Sequence, residues 1–420
     1  MEDQAEIQKL ADEIRAQGFE SICFWMPSYS VVGANVSFFN LSLYLMKKTK
    51  LKAFYVTYED GYLAMQLAEA GIPVIPYLDE TSEFSFSRKC VIVTSSTRPI
   101  MLKKMRPDNK MLLWHNETAP CNWGAVFLMN ETQDYFRLCH EKHAMVFHDW
   151  SSWDVLSQDA GFEFEKLYLP LCIEPRRFMA GGELISDEEM HLTWLGRLVP
   201  DKMYSLLYLI NHYAQYATSR RKVLHIIGDG SSRAEIEAYC KRFYNKITFD
   251  FKGTVTGNEL DEFLIENTDI LFAMGTSLLE GAALKIPTAI VLLDTVQIKT
   301  DEFFWMFDSK EYCCGVMTSQ AGRFGVQYSH FRDMMDDIFE YGMKKEYGEK
   351  SFRYYEENHS SMEHVAWQLL NAVKKSSLTM GDLEGCIKYV PYNHIKIVRR
   401  NFLGRELPDQ VIFETGGENE

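Results

Sequence analysis

An α/β protein made of two successive doubly wound domains, facing each other across a cleft, is what this sequence predicts. Three observations carry the prediction. The 420-residue chain is long for one hydrophobic core and fits two domains of ordinary size. Short apolar runs alternate with helix-length stretches from residue 21 to about 150, and the alternation restarts at His191. Between the two series lies KLYLPLCIEPRRF (166–178), whose prolines and paired arginines read as a crossover. The expected division is 1–170, a crossover at 171–180, 181–375, and a tail at 376–420 that packs back on the first domain.

Composition narrows the function classes. With 46% apolar and 25% charged residues the chain is globular, and a formal charge of −15 argues against nucleic acid as the main partner. Nine cysteines without framework spacing suggest reduced thiols and a cytoplasmic protein, and the adjacent Cys313 and Cys314 lack the second pair that a structural zinc site needs. The start, MEDQAEIQKLADEIRAQ, is an acidic amphipathic helix and not a signal peptide. No run approaches the roughly 20 apolar residues of a membrane span.

In the first half, SICFWM (21–26) is a buried strand. It is followed by a turn containing Gly33 and an apolar helix from Val36 to Met46, with Lys47 and Lys48 where the helix dipole favours cations. Gly33 is where a ligand could approach the backbone closely. Strands are expected at 52–58, 73–77, 89–95, 111–114 and 144–147, with a helix at 61–70 closed by Gly71. In a parallel sheet, ligands collect at the carboxyl ends of the strands, and both His115 and His148 fall at such ends. His115 has two readings, a hydrogen-bonded loop residue and a catalytic group.

The second half gives strand HLTWL (191–195), loop GRLVPDK, a helix at 205–218, strand KVLHIIG (222–228), loop DGSS, a helix at 233–243, a strand at 247–252, loop GTVTGN and a helix at 259–267. The unit from Asp269 to Asp294 completes the series: an apolar strand, the turn Gly275, Thr276 and Ser277, a short helix bearing Glu280, and a second strand. Thr276 and Ser277 can cap that helix, whose amino end favours an anion such as a diphosphate. Glu280 has only apolar neighbours, so it is expected to be partnered, with both hydroxyls of a ribose as the functional partner. Arg197 and Lys202 lie on the same rim, which makes a site for a phosphate-centred ligand. The turn Gly228, Asp229 and Gly230 is expected to be a turn and nothing more, and amphipathic helices are expected at 331–345 and 362–375.

These strings resemble glycosyltransferases of the two-Rossmann-domain GT-B fold, nearest to family 4. The resemblance rests on GRL with Lys202, IIGDG (226–230) with Arg233, FKGTV (251–255) and MGTSLLEGAALKIPTAIV (274–291), over about residues 190–295. It is looser over the first half, where Gly33 and His115 carry it. It implies that Arg197 and Lys202 bind the donor diphosphate and act in catalysis, Thr276 and Ser277 bind the phosphates, Glu280 the ribose, and the backbone near Val255 the base. Of the two glutamates eight apart that the family carries, the earlier position is Phe272. The fold needs no Asp-x-Asp metal site, so no metal and no cofactor is assigned.

The expected function is transfer of a sugar from a nucleotide diphosphate sugar to a glycan or lipid-linked acceptor entering from the first domain. The resemblance implies retention of configuration and a place in cell-envelope polysaccharide assembly. The alternatives are a nucleotide-sugar epimerase of the same fold and a catalytically silent sugar-nucleotide-binding subunit; a dehydrogenase lacks its G-x-G-x-x-G. The basic, aromatic segment 386–405 is expected to pack on the first domain. Its second reading is a peripheral contact with anionic lipid at the inner face of the membrane.

Overall fold

A computed structural model describes residues 4–27, 33–58, 62–77, 89–97, 105–116, 118, 132–383, 386, 395–397 and 413–415. The chain divides into two compact units, Met1–Pro170 with Met362–Glu420, and Leu171–Ser361.

The first unit holds six parallel strands: β1 Ser21–Trp25, β2 Lys52–Thr57, β3 Val74–Pro76, β4 Val91–Ser95, β5 Lys110–His115 and β6 Met145–Phe147. Their order is β3-β2-β1-β4-β5-β6, a doubly wound sheet that reverses direction between β1 and β4. Every residue of β1, β4 and β5 is buried. That explains why these strands read as unbroken apolar runs without alternation.

The carboxyl-terminal helix Met362–Lys375 belongs to this unit, so the boundary falls at Ser361 and not after Lys375 as the sequence suggested. The reason is its apolar face, Val365, Ala366, Leu369, Leu370 and Val373, which is buried against the opening helix Gln4–Ala16 and the helix Gly33–Lys48. Polar contacts fix the register: Lys374 pairs with Glu13 at 2.7 Å, and Lys110 Nζ donates to the Val373 carbonyl at 3.1 Å. The following residues are stitched to the start of β5, with Met111 N donating to Leu378 O at 2.8 Å and Ser376 Oγ to Met111 O at 2.8 Å. The basic segment 386–405 lies outside the described residues apart from Cys386 and the strand Ile395–Ile397, which pairs antiparallel with Phe413–Thr415.

The second unit repeats the winding. Its strands are β7 Glu189–Leu195, β8 Arg221–Ile227, β9 Ile247–Gly253, β10 Ile270–Ala273, β11 Thr288–Ile290, β12 Leu292–Leu293, β13 Glu302–Trp305, β14 Val316–Met317 and β15 Ser329–His330. The main sheet runs β15-β13-β11-β10-β7-β8-β9, parallel from β9 to β11 and closed by antiparallel β13 and β15; β12 pairs with β14 alone. The reversal lies between β7 and β10, whose register sets Leu195 beside Ala273.

Three helices differ from expectation. The one after β7 is Pro200–Gln215, starting five residues early because Pro200 occupies its first turn, where a missing N–H costs nothing. The helix expected over 331–345 ends at Phe339, and Gly342, at φ 68°, turns the chain. A further helix, Lys344–Asn358, packs against Lys285: a Cβ on Gly348 would lie 2.1 Å from the Lys285 carbonyl oxygen. Lys344 enters it with a buried ion pair to Asp269 at 2.8 Å. Among the described residues no helix is long and apolar enough to cross a membrane.

Candidate functional site

The second unit brings its candidate residues to the point where its sheet reverses. After β7 come Gly196, exposed Arg197 and half-buried Lys202; after β10 come Gly275 and the helix Thr276–Ala283. Gly275 is the N-cap, at φ 63° and ψ −140°, a conformation open to glycine alone. Thr276 and Ser277 therefore do not cap the helix by side chain, as the sequence suggested. They form its first turn. Gly275 N donates to Cys314 O and Leu278 N to Gly275 O, and among the described residues the N–H groups of Thr276 and Ser277 meet no acceptor. Two open donors at a helix start, one strand spacing from the end of β7, favour an anion.

Lys202 sits in the first turn of helix Pro200–Gln215 and not in the loop. Burial pushes its ammonium down to about 8, the Arg197 guanidinium pushes the same way, and Asp201 opposes both. Among the described residues no hydrogen bond or ion pair holds its ammonium group. A cation that burial and a second cation destabilise gains most from an anionic ligand.

The loop after β8 has a structural task beyond turning. Gly228 (φ 136°) and Gly230 (φ 152°) lie so close to the β7 loop that a Cβ would come 2.1 Å from Gly196 O and 2.5 Å from Leu198 O, respectively. Leu198 N donates to Asp229 O at 2.9 Å and Ser232 N to Leu198 O at 2.8 Å. The glycines thus fix the loop that presents Arg197.

Glu280 is partnered, as expected of an acid among apolar neighbours, but by a residue that the sequence argument missed. Arg176 Nη2 donates to Glu280 Oε2, and Arg176 Nε lies 3.5 Å from Asp261 Oδ1. Burial raises the Glu280 pKa, Arg176 opposes, and Asp261 adds to the rise. Two acids share one guanidinium. Half-buried Val255 follows β9 in the loop leading to the helix Gly257–Asn267, which carries Asp261. Phe272 is fully buried in β10, its ring 5.8 Å from Phe303 and 6.0 Å from Phe331. No acid acts from that position.

In the first unit both singled-out histidines meet at the carboxyl ends of β4 to β6. His115, the last residue of β5, is fully buried, with Nδ1 2.8 Å from Ser96 Oγ. Burial pushes its pKa down to about 3, with His148 acting the same way and Asp149 opposing, so the ring is neutral at pH 7. His148 Nε2 lies 3.1 Å from Asp149 Oδ2, while Asp149 Oδ1 accepts from Ser152 N at 2.9 Å as the cap of helix Trp150–Ala160. Gly33 is the first residue of helix Gly33–Lys48 and half-buried. As a helix residue it is not the flexible loop glycine the sequence suggested; residues 28–32 of the preceding turn lie outside the described residues.

No family model matches the chain, and no curated protein matches it. Solved structures do. The chain is similar to HepE of Anabaena in complex with UDP-glucose, at 12% identity over 84% of this chain and 99% of that one, with a TM-score of 0.53. A glycosyltransferase of Rickettsia africae matches at 13% identity over 85% and 98%, with a TM-score of 0.58. The lipopolysaccharide outer core galactosyltransferase WaaB, in its apo form, matches at 12% over 84% and 99%, with a TM-score of 0.56. Each is matched along nearly its whole length, through both doubly wound units. The chain has the GT-B fold.

Within this GT-B chain the carboxyl edge of the second sheet gathers Arg197, Lys202, Thr276 and Ser277, while Arg176 and Asp261 surround Glu280. Arg176 was visible as half of the RR pair in the crossover. Nothing local ties position 176 to position 280, so only the folded chain shows the contact. Among the described residues no three His, Cys, Asp or Glu side chains are grouped to hold a metal ion.

Proposed function

We propose that the chain is a glycosyltransferase using a nucleotide diphosphate sugar as donor, with a glycan or lipid-linked acceptor. One observation carries the reading: at the reversal point of the second sheet, Lys202, destabilised by burial and by Arg197, stands on the same rim as the open N–H groups of Thr276 and Ser277. Such a rim suits an anionic ligand. In sugar transfer the bond to the diphosphate breaks and negative charge grows on the leaving oxygen, which fixed cations and a helix start stabilise. Arg197 and Lys202 would take that role, Glu280 would receive the ribose hydroxyls beside Arg176, and the backbone near Val255 the base. In this scheme no metal shares the charge. Within the first unit, His115, neutral at pH 7 and hydrogen-bonded to Ser96, is the candidate polar group.

HepE was crystallised with UDP-glucose, which supports a uridine diphosphate sugar as the first donor to try. Retention of configuration, cell-envelope polysaccharide assembly, and a cytoplasmic site with peripheral contact at the inner face of the membrane complete the proposal.

The test is donor-dependent stabilisation followed by turnover. A ligand at 100 times its dissociation constant stabilises by roughly 2.7 kcal/mol, so uridine diphosphate should raise the melting temperature. Glu280→Gln should weaken donor use about ten- to a hundredfold with the fold intact. Unchanged donor kinetics in the folded variant would refute the ribose assignment. A second reading, a catalytically silent binding subunit, is favoured by Phe272, whose burial leaves the expected acid without a substitute. Donor binding without release of nucleoside diphosphate to any acceptor would decide for it.

A further inference from the structure

The opposite edge of the second sheet carries a separate concentration of positive charge. A cavity of about 460 Å³ opens where β8 and β9 begin, lined among others by Arg220, Arg221, Lys222, Tyr244, Asn245 and Lys246. In register, Lys222 faces Ile247, so the first residues of the two strands form its floor. The seven-residue β8 separates this edge from Gly228 by about 20 Å, which sets the cavity apart from the rim of Arg197 and Lys202.

Two of its cations have no carboxylate partner among the described residues, although the rings of Tyr213 and Tyr216 flank Lys222 and that of Phe339 flanks Arg220. Lys222 is 8% exposed and donates only to backbone carbonyls, of Tyr213 at 2.8 Å and of Tyr216. No carboxylate pairs with it among the described residues; burial and the neighbouring Lys246 push its pKa down to about 8. Arg220 Nη2 donates to Phe339 O at 2.9 Å, but its Nη1 is buried with no partner. A buried, unmet guanidinium N–H costs about as much as a lost charged hydrogen bond, unless a ligand meets it. Arg221 pairs with Glu189, which leaves three of the four cations without a carboxylate partner among the described residues. Such a concentration is unusual in a chain of net charge −15.

We propose that this cavity is a second binding site, for a compact phosphate-class oxyanion such as orthophosphate or pyrophosphate. Three net positive charges match a multiply charged anion better than a carboxylate. The unmet Nη1 of Arg220, a planar charged donor, suits a phosphate oxygen. The volume falls in the range of small-ligand pockets and is far below a nucleic-acid groove. Exposed Tyr244 and Lys246 form the rim, so the oxyanion enters from solvent, either free or as the headgroup of an anionic lipid.

The proposal does not depend on the donor reading, because the two sites lie on different edges. The experiment is calorimetric titration of the full chain with pyrophosphate at low salt, with and without saturating uridine diphosphate, in parent and Lys246→Glu. Lys246 is exposed and outside the strands, so this variant keeps its fold. The expected result is pyrophosphate binding that persists with uridine diphosphate present and weakens about tenfold in the variant, with uridine diphosphate affinity unchanged. A second arm sediments both proteins with phosphatidylglycerol vesicles. Vesicle binding lost in Lys246→Glu, without binding of free pyrophosphate, assigns the oxyanion to a lipid headgroup. The proposal is overturned if neither probe binds the parent, if Lys246→Glu binds like the parent, or if uridine diphosphate displaces all the pyrophosphate.

Discussion

Burial pushes the Lys202 ammonium down to about 8, and a diphosphate beside it would raise that value by favouring the charged form. The protonated lysine is the binding form, so affinity is greatest below about pH 8. It falls as pH rises from that value towards the raised pKa of the complex, and in this window binding takes up a proton. Titration of uridine diphosphate at pH 8 in two buffers of different ionisation enthalpy should show that uptake, and Lys202→Met should abolish it. Equal apparent enthalpies for the parent in both buffers would contradict the role. Arg176 makes a second case. Removing it leaves Glu280 and Asp261 close together without their shared cation, so Arg176→Ala should destabilise the second unit by about 1–3 kcal/mol. Most of that loss should vanish in a Glu280→Gln background, where the charge is already absent. Additive losses in denaturant titrations would show that Arg176 acts through packing alone.

At the level of elements, the sequence revealed most where helices and strands bury apolar residues in regular spacing. Buried strands β1, β4, β5 and β10 have no polar face, and they stood out as continuous apolar runs. Helix Met362–Lys375 was legible from end to end, because its core face is apolar. Helix Lys344–Asn358 was not, and its composition explains why. Its buried positions, Lys344, Gly348, Ser351 and Tyr355, recur at helical spacing, but only Tyr355 is a large hydrophobic residue. The helix docks through close backbone approach and one ion pair, and such a seam leaves no hydrophobic periodicity to read. Gly348→Ala tests this. Its Cβ would meet the Lys285 backbone oxygen at 2.1 Å, so the helix must shift, at a cost of about 1–3 kcal/mol or more. A variant as stable as the parent in chemical denaturation would show that the seam yields freely. Candidate residues followed the same rule: Arg197, Lys202, Ser277 and Glu280 were found from strand ends and helix starts, whereas Arg176 depends on a contact spanning more than a hundred residues.

For the molecule as a whole, the first unit is discontinuous and the second is not. A chain ending at Ser361 should therefore keep a folded second unit and lose the first, whose helices Gln4–Ala16 and Gly33–Lys48 would be left without their cover. The fragment 171–361 should unfold cooperatively by itself, and a single transition lost from both units together on truncation would count against this division. The same interleaving sets an order of events during synthesis. The first 170 residues leave the ribosome early, yet the helix that completes their core is made about 190 residues later. At roughly 5–20 residues per second that is a wait of about 10–40 s, during which the interposed unit can fold and the earlier one cannot finish. The nascent first half should thus expose the apolar faces of helices Gln4–Ala16 and Gly33–Lys48 for tens of seconds, the kind of surface that chaperones bind.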